Sequence, residues 1–312
     1  MENLILSFNV VAPLFLMMVL GYFLKYIKIF DQHTLDVMNK VVFKVFLPVL
    51  LFYNVYTTDL ETVFDGKLIL FAVSGVVILF LILLLFIPKI EKENRKRGVM
   101  IQGVFRSNFV IFGIPVATSI YGDGNVGTTA MLIAVIVPLL NMLAVISLEI
   151  FRGSQINIKK ILKGVVTNPL IIGAFVGIVF LLIGIKLPTC IMETVEDVSK
   201  MATPLGLILL GASFAFSDVK KYLHETIFIV ITKLIVVPLI MIPLSVSLGI
   251  RGIALLTLTI IYGAPTGVST FQMAKQMDGD SDLAAQIIVF TSFFCIITMF
   301  IWIYILKSMA LI

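Results

Sequence analysis

Two strings of one design sit inside otherwise apolar runs, GIPVATS at residues 113–119 and GAPTGVS at residues 263–269. Gly113, Pro115 and Ser119 in the first have the spacing of Gly263, Pro265 and Ser269 in the second. A proline inside a helix removes one amide donor and clashes with the carbonyl a turn back, and a glycine two positions earlier adds freedom to unwind. Helices interrupted in this way would expose half-helix ends. Their N-termini carry unpaired amides and a positive dipole end that suit an anion, and their C-terminal carbonyls suit a cation. Polar side chains nearby extend that chemistry. The Asn108 amide can donate two hydrogen bonds to a carboxylate or serve as interhelical glue. Asn141, three residues after Pro138, is open between cavity lining and packing. Ser119 and Ser269 either contact a ligand or recapture the carbonyls freed by Pro115 and Pro265, and Thr266 is a candidate of the same kind.

Charge adds a second set of candidates. Arg106 lies about nine residues, or roughly 13 Å, inside its apolar run, and Lys233 is similarly deep in another. An ionisable group at that depth costs at least ~2.5–3.5 kcal/mol and marks function by default. The competing use is snorkelling to the nearer membrane surface. Lys275 has either a gating role or ordinary capping of a helix C-terminus. Lys40 and Lys44, four apart, share a face and are expected to snorkel, and His33 and His224 fall at interfaces. Cys190 and Cys295 are far apart and form neither a disulfide framework nor a metal motif. Paired aspartates, a His/Glu metal motif and a Ser/Lys dyad at matched depth are all missing, as is a P-loop. No catalytic residue, metal or cofactor is therefore expected.

The elements that must position these groups follow from composition. The 312 residues are 60% hydrophobic and 13% charged, with a mean hydropathy of +1.13, whereas soluble domains run near ~45–50% apolar and ~25% charged. This is an all-α integral membrane protein with the lipid bilayer as its medium. The net charge of +5 falls between apolar spans rather than on a basic stripe, so nucleic acid is not a partner. A span of about 20 residues crosses roughly 30 Å of hydrocarbon. About ten are expected, at 4–24, 37–56, 68–88, 98–120, 126–150, 164–185, 194–216, 224–248, 252–275 and 284–306. The first is too long for a signal-peptide core and reads as a retained transmembrane helix.

Basic residues orient the spans, because cytoplasmic loops retain Lys and Arg. Lys25 and Lys28, then Lys89 to Arg97, Arg152 to Lys163, and Lys220 with Lys221 fill alternate connections. The intervening strings TTDLETVFDG, YGDGN and METVED are neutral or acidic. Both termini are expected outside. Pro13 and Pro169, Gly21 and Gly177, and Pro48 and Pro204 are each 156 residues apart, and the two Gly-Pro-Ser strings are 150 apart. Two halves of five spans account for this, residues 1–152 and 164–312 with a short cytoplasmic linker at 153–163. An odd number of crossings inverts the second half relative to the first, which brings the two interrupted helices together near the midplane.

RSNFVIFGIPVATSIYG and GAPTGVSTFQMAKQMDGDSDLAAQIIVFTS resemble the crossover segments of the auxin efflux carrier family, which includes plant auxin exporters and bacterial malate and malonate permeases. The resemblance covers the whole chain. It implies ten helices in two inverted repeats with broken crossover helices, a fold like that of the bile acid symporters, elevator-like movement and a homodimer. It also implies substrate contact for Asn108, seven residues before Pro115. The long central loop of the plant members is reduced here to RGSQINIKK.

The expected activity is therefore a secondary or potential-driven carrier of small organic carboxylate anions, malate-like or auxin-like, in a bacterial plasma membrane. An inside-negative potential assists anion export by about 2.3 kcal/mol per charge per 100 mV, whereas import needs sodium or a proton as coupling ion. A sodium-coupled symporter of the bile acid type and a transporter-like sensor are the alternatives.

Overall fold

A computed structural model describes residues 2–57, 65–122, 126–153 and 158–312. Among them the regular structure is entirely helical. The order is α1 (Glu2–Tyr26); α2 (Gln32–Val41), continuing through a π-helical turn (Val42–Phe46) into α3 (Leu47–Tyr56); α4 (Gly66–Ile90); α5 (Asn94–Phe105) and α6 (Phe109–Tyr121); and α7 (Gly127–Phe151). There follow α8 (Ile158–Val166) and α9 (Pro169–Ile183); α10 (Thr189–Ser213); α11 (Leu223–Ile231), continuing through a second π turn (Thr232–Val236) into α12 (Val237–Ser247); α13 (Gly252–Gly263) and α14 (Ser269–Gln276); and α15 (Ser281–Ser308).

Six helical stretches are long and apolar enough to cross a membrane, or seven when the pair α8 and α9, bent by 56°, is taken as one span. The ten spans expected from sequence exceed this for local reasons. The segment through α2 and α3 opens on the polar string QHTLDVMNK, α10 carries Glu193, Glu196, Asp197 and Lys200 in its first half, and α13 has only 12 residues before it stops. The linker expected at 153–163 is helical from Ile158 onward, and residues 154–157 lie outside the described residues. Parts of the expected loops TTDLETVFDG and YGDGN, residues 58–64 and 123–125, lie outside them as well.

The two π turns share one cause. Each ends two residues before a proline, Pro48 after Val42–Phe46 and Pro238 after Thr232–Val236. A proline cannot donate to the carbonyl four residues back and crowds it, and widening the preceding turn relieves the clash. The carbonyl orphaned by Pro238 belongs to Leu234, and the Trp302 indole N–H donates to it at 3.1 Å.

Close helix pairs are set by glycines. A Cβ added at Gly21 of α1 would lie 1.9 Å from the Ile208 carbonyl oxygen of α10, and one at Gly211 of α10 would lie 1.9 Å from that of Met18. Gly173 and Gly177 of α9 meet the backbone of Pro48 and Phe52 of α3 in the same way, at 2.4 and 3.0 Å. Small residues allow such backbone approach in lipid, where no hydrophobic effect draws helices together. The contact of Gly21 with Ile208 and that of Gly177 with Phe52 are related residue for residue by a shift of 156 positions.

The basic connections gather at one end of the bundle. Asn94 donates to the Gly153 carbonyl at 2.9 Å, the Asp280 amide to that of Arg95 at 3.0 Å, and Lys96 pairs with Glu225 at 2.7 Å. The Gly252 amide bonds the Leu311 carbonyl at 2.8 Å, which puts the C-terminus beside the start of α13 at the opposite end.

Substituting Gly21 or Gly211 by Val is expected to lower the thermal midpoint in detergent through overpacking, by about 1–3 kcal/mol. Leu182→Val, on the exposed face of α9, should stay within about 0.5 kcal/mol. Equal midpoints for all three would show that the backbones are not held this close.

Candidate functional site

Two interrupted helices meet inside the bundle. α13 stops at Gly263 because the residue before a proline is driven out of the helical region, and Ala264 is extended at φ −69°, ψ 158°. The chain re-enters helix only at Ser269. α5 stops at Phe105 with Arg106 extended, and Asn108 at φ −79°, ψ 47° starts α6. No proline marks this second interruption, which lies at 106–108 rather than at GIPVATS. Gly113, Pro115 and Ser119 stand within α6, with Pro115 and Ser119 exposed. The carbonyl that Pro115 leaves without an amide is that of Ile111, a lining residue of the cavity described below.

The two interruptions are stitched together. The Asn108 amide donates to the Pro265 carbonyl at 2.8 Å, Ser107 Oγ to that of Ile260 at 3.2 Å, and Thr266 Oγ1 to that of Gly103 at 2.7 Å. The Thr266 amide is taken up by Thr291 Oγ1 of α15 at 3.3 Å. Backbone groups that lipid could not satisfy thus satisfy each other.

Arg106 sits at the crossing with 3% of its surface exposed, so it does not snorkel. Its Nη1 donates to Gln102 Oε1 at 3.2 Å and to Met273 Sδ, and its Nη2 to Ser269 Oγ at 2.6 Å and to Asn141 Oδ1. All these acceptors are neutral. Asn141 also donates to the Val137 carbonyl at 2.8 Å, so both ends of its amide are committed. Beside the guanidinium lies a cavity of about 100 Å³, lined by both interruptions and by Leu47, Leu140, Leu170 and Ala202 from α3, α7, α9 and α10. Its polar groups come from Asn54, Arg106, Ser107, Asn108, Asn141, Thr203, Ser269 and Gln272, and among the described residues its lining contains no carboxylate. The N-terminal residues of α6 and α14 both face it. Asn108 Nδ2 and Gln272 Oε1 are buried without a partner among the described residues.

The model of the membrane transport protein family matches residues 6–160 and 152–303. The chain belongs to this family, that of the auxin efflux carrier resemblance. Relatives of this transport protein match along almost their whole lengths. A Methanothermobacter thermautotrophicus protein named "Uncharacterized transporter" is 24% identical over 307 residues, 95% of this chain and 97% of the relative. "Uncharacterized transporter YfdV" of Escherichia coli K12 is 22% identical, covering 94% and 95%. A "Putative malonate transporter" of Rhizobium meliloti is 23% identical over 315 residues, 97% of each chain.

In this family member the residues singled out from sequence divide into groups. Arg106, Asn108, Asn141 and Ser269 converge on the cavity. Pro265 and Thr266 lie in the interruption between α13 and α14, where the Thr266 hydroxyl holds α5, and Gly263 closes α13. Lys275 lies outside, at the end of α14, paired with Asp36 at 3.2 Å. Lys233 is fully buried in the second π turn and lies outside the cavity lining. Sequence reasoning missed Gln102, Gln272 and Met273. Gln102 was findable as the residue one helical turn before Arg106, whereas Gln272 and Met273 reach the crossing only because α14 packs against α5 and α10.

Thr266→Val deletes the stitch to Gly103 and leaves a buried carbonyl unpaired. It is expected to destabilise the protein by about 1–3 kcal/mol, read as a lower melting midpoint, and an unshifted midpoint would mean that this bond does not hold the crossing.

Proposed function

We propose that this membrane transport protein carries small organic carboxylate anions, held where the interrupted helices cross. The observation that carries the reading is a buried guanidinium with only neutral partners beside a cavity without carboxylates. Arginine stays protonated and matches a carboxylate fork, so the site bears a positive charge that its own residues do not cancel. Two helix N-termini facing the same cavity add amides and dipole in the same sense. Asn108 Nδ2, an unpaired donor at its wall, supplies a hydrogen bond that the anion would otherwise lose with its hydration.

In this reading Arg106 and Asn108 contact the carboxylate, and Asn141, Gln102 and Ser269 position the guanidinium. A cavity of about 100 Å³ favours compact acids of the malonate or malate kind over ring-bearing ones, and the name of the Rhizobium meliloti relative points the same way. The halves 1–152 and 164–312 are read as inverted repeats, with support from the contacts equivalent at a shift of 156. The tightly packed pairs α1 with α10 and α3 with α9 would then serve as scaffold, while the stitched crossing moves as one body in an elevator. Basic connections at one end and the C-terminus at the other suit cytoplasmic and outer faces respectively.

Purified protein in liposomes should exchange labelled malonate in counterflow. Arg106→Met should weaken malonate binding more than tenfold, in line with a charged hydrogen bond worth about 1.5–3 kcal/mol, and also lower the melting midpoint because its buried acceptors lose their donor; Asn108→Ala should weaken binding less, with little change in melting midpoint. Affinity unchanged in both variants would remove the crossing as the anion site. Binding without counterflow would favour a sensor, and exchange that requires sodium would favour the symporter alternative.

A further inference from the structure

Lys233 is the one fully buried lysine among the described residues, and its Nζ has no hydrogen-bond partner. It lies in the π turn between α11 and α12, which packs on α5, α13 and α15. Both α5 and α13 end at the crossing. Of the titratable groups on the elements around it, α15 carries Cys295, a buried thiol whose Sγ lies 3.9 Å from the Gly263 carbonyl. Tyr262 of α13 is spent on the Ala72 carbonyl at 3.2 Å. Glu225 of α11 is about two turns away and paired with Lys96 at 2.7 Å, with His224 exposed beside it. Asp282 stands in the first turn of α15, Arg95 to Arg97 stand in the first turn of α5 with Arg106 at its far end, and α12 carries no titratable group.

A structural lysine would show acceptors at its ammonium, and a leucine or methionine would fill the same space without the penalty of desolvation. Among the described residues an ammonium at this spot has neither an acceptor nor an ion-pair partner. A carboxylate arriving at the crossing would bring a negative charge to the ends of α5 and α13, on which this π turn packs, and its field is weakly screened inside the bundle. We propose that Lys233 carries the proton that accompanies the anion. This rests on the carrier reading above. As the anion enters, the lone pair of Nζ takes a proton from a hydronium ion of the medium, an O–H bond breaking to leave water as the amine becomes ammonium; as the anion leaves, that N–H bond breaks and the proton returns to water of the medium. Arg106 supplies a fixed positive charge and Lys233 a removable one, so a dicarboxylate finds both of its charges balanced only when the lysine is protonated.

The test measures malonate affinity and proton uptake in the intact protein between about pH 5 and about pH 9, a range that spans the titration of buried lysines. In the wild type, binding is expected to draw one proton from a weakly buffered medium and to weaken by about tenfold per pH unit on the alkaline side. Lys233→Met should abolish the uptake and flatten the pH profile while still binding malonate through Arg106, and Lys233→Arg should flatten it with the charge retained. A flat wild-type profile, or uptake that survives in Lys233→Met, overturns the proposal. A readout that needs no anion is the 13Cε resonance of Lys233, assigned by its loss in Lys233→Met. If that resonance does not move across the same range, the proton role fails whatever becomes of the carrier; if it moves but no carboxylate binds, the carrier reading fails and with it the coupling.

Discussion

Arg106 stays protonated inside proteins, and here it lies between two broken helices where no carboxylate among the described residues pairs with it, so neutral oxygens have to serve the guanidinium. Gln102 one turn back, Asn141 across on α7 and Ser269 at the start of α14 do so. These three residues belong to separate elements, and a single side chain therefore ties both interruptions to α7. Neutral acceptors spread the charge without cancelling it. That is the condition under which a buried cation remains available to a ligand.

The broken backbone imposes the second constraint. Unpaired amides and carbonyls cannot face lipid, and the interruptions meet this by bonding one another, through Asn108 with Pro265 and Thr266 with Gly103. Each break is thus the condition for the other. Bonding between them also leaves the start of α6 and the start of α14 turned toward the same cavity. The π turns ahead of Pro48 and Pro238 show the same demand met differently, by widening a turn and, at Leu234, by recruiting an indole from α15.

Close packing away from the crossing is of another kind. Gly21 and Gly211 let α1 and α10 touch backbone to backbone, and Gly173 and Gly177 do the same for α9 on α3. Those contacts are uncharged approaches of backbone to backbone, whereas the crossing is rich in hydrogen bonds between side chains and backbone. A sliding boundary between a glycine-packed frame and a polar-stitched bundle would break few hydrogen bonds on moving, in keeping with the elevator reading.

Much of this was legible in the sequence. Apolar runs placed the helices to within a few residues, since a segment of such hydropathy has no other stable state in lipid, and prolines and glycines marked where regular helix would be costly. The charge at Arg106 and the amide at Asn108 stood out because polar groups inside apolar runs need a reason. Tertiary structure decided the rest. The proline of GIPVATS stays inside α6, and the break falls earlier, at a string without proline, because Pro265, Gly103 and Asn141 supply the partners that make an unwound turn affordable there. The buried settings of Arg106 and Lys233 were decided in the same way, since snorkelling depends on which helices surround a side chain and no local pattern records that. Composition fixes which groups must leave water; only the packed fold determines what each of them meets when it does.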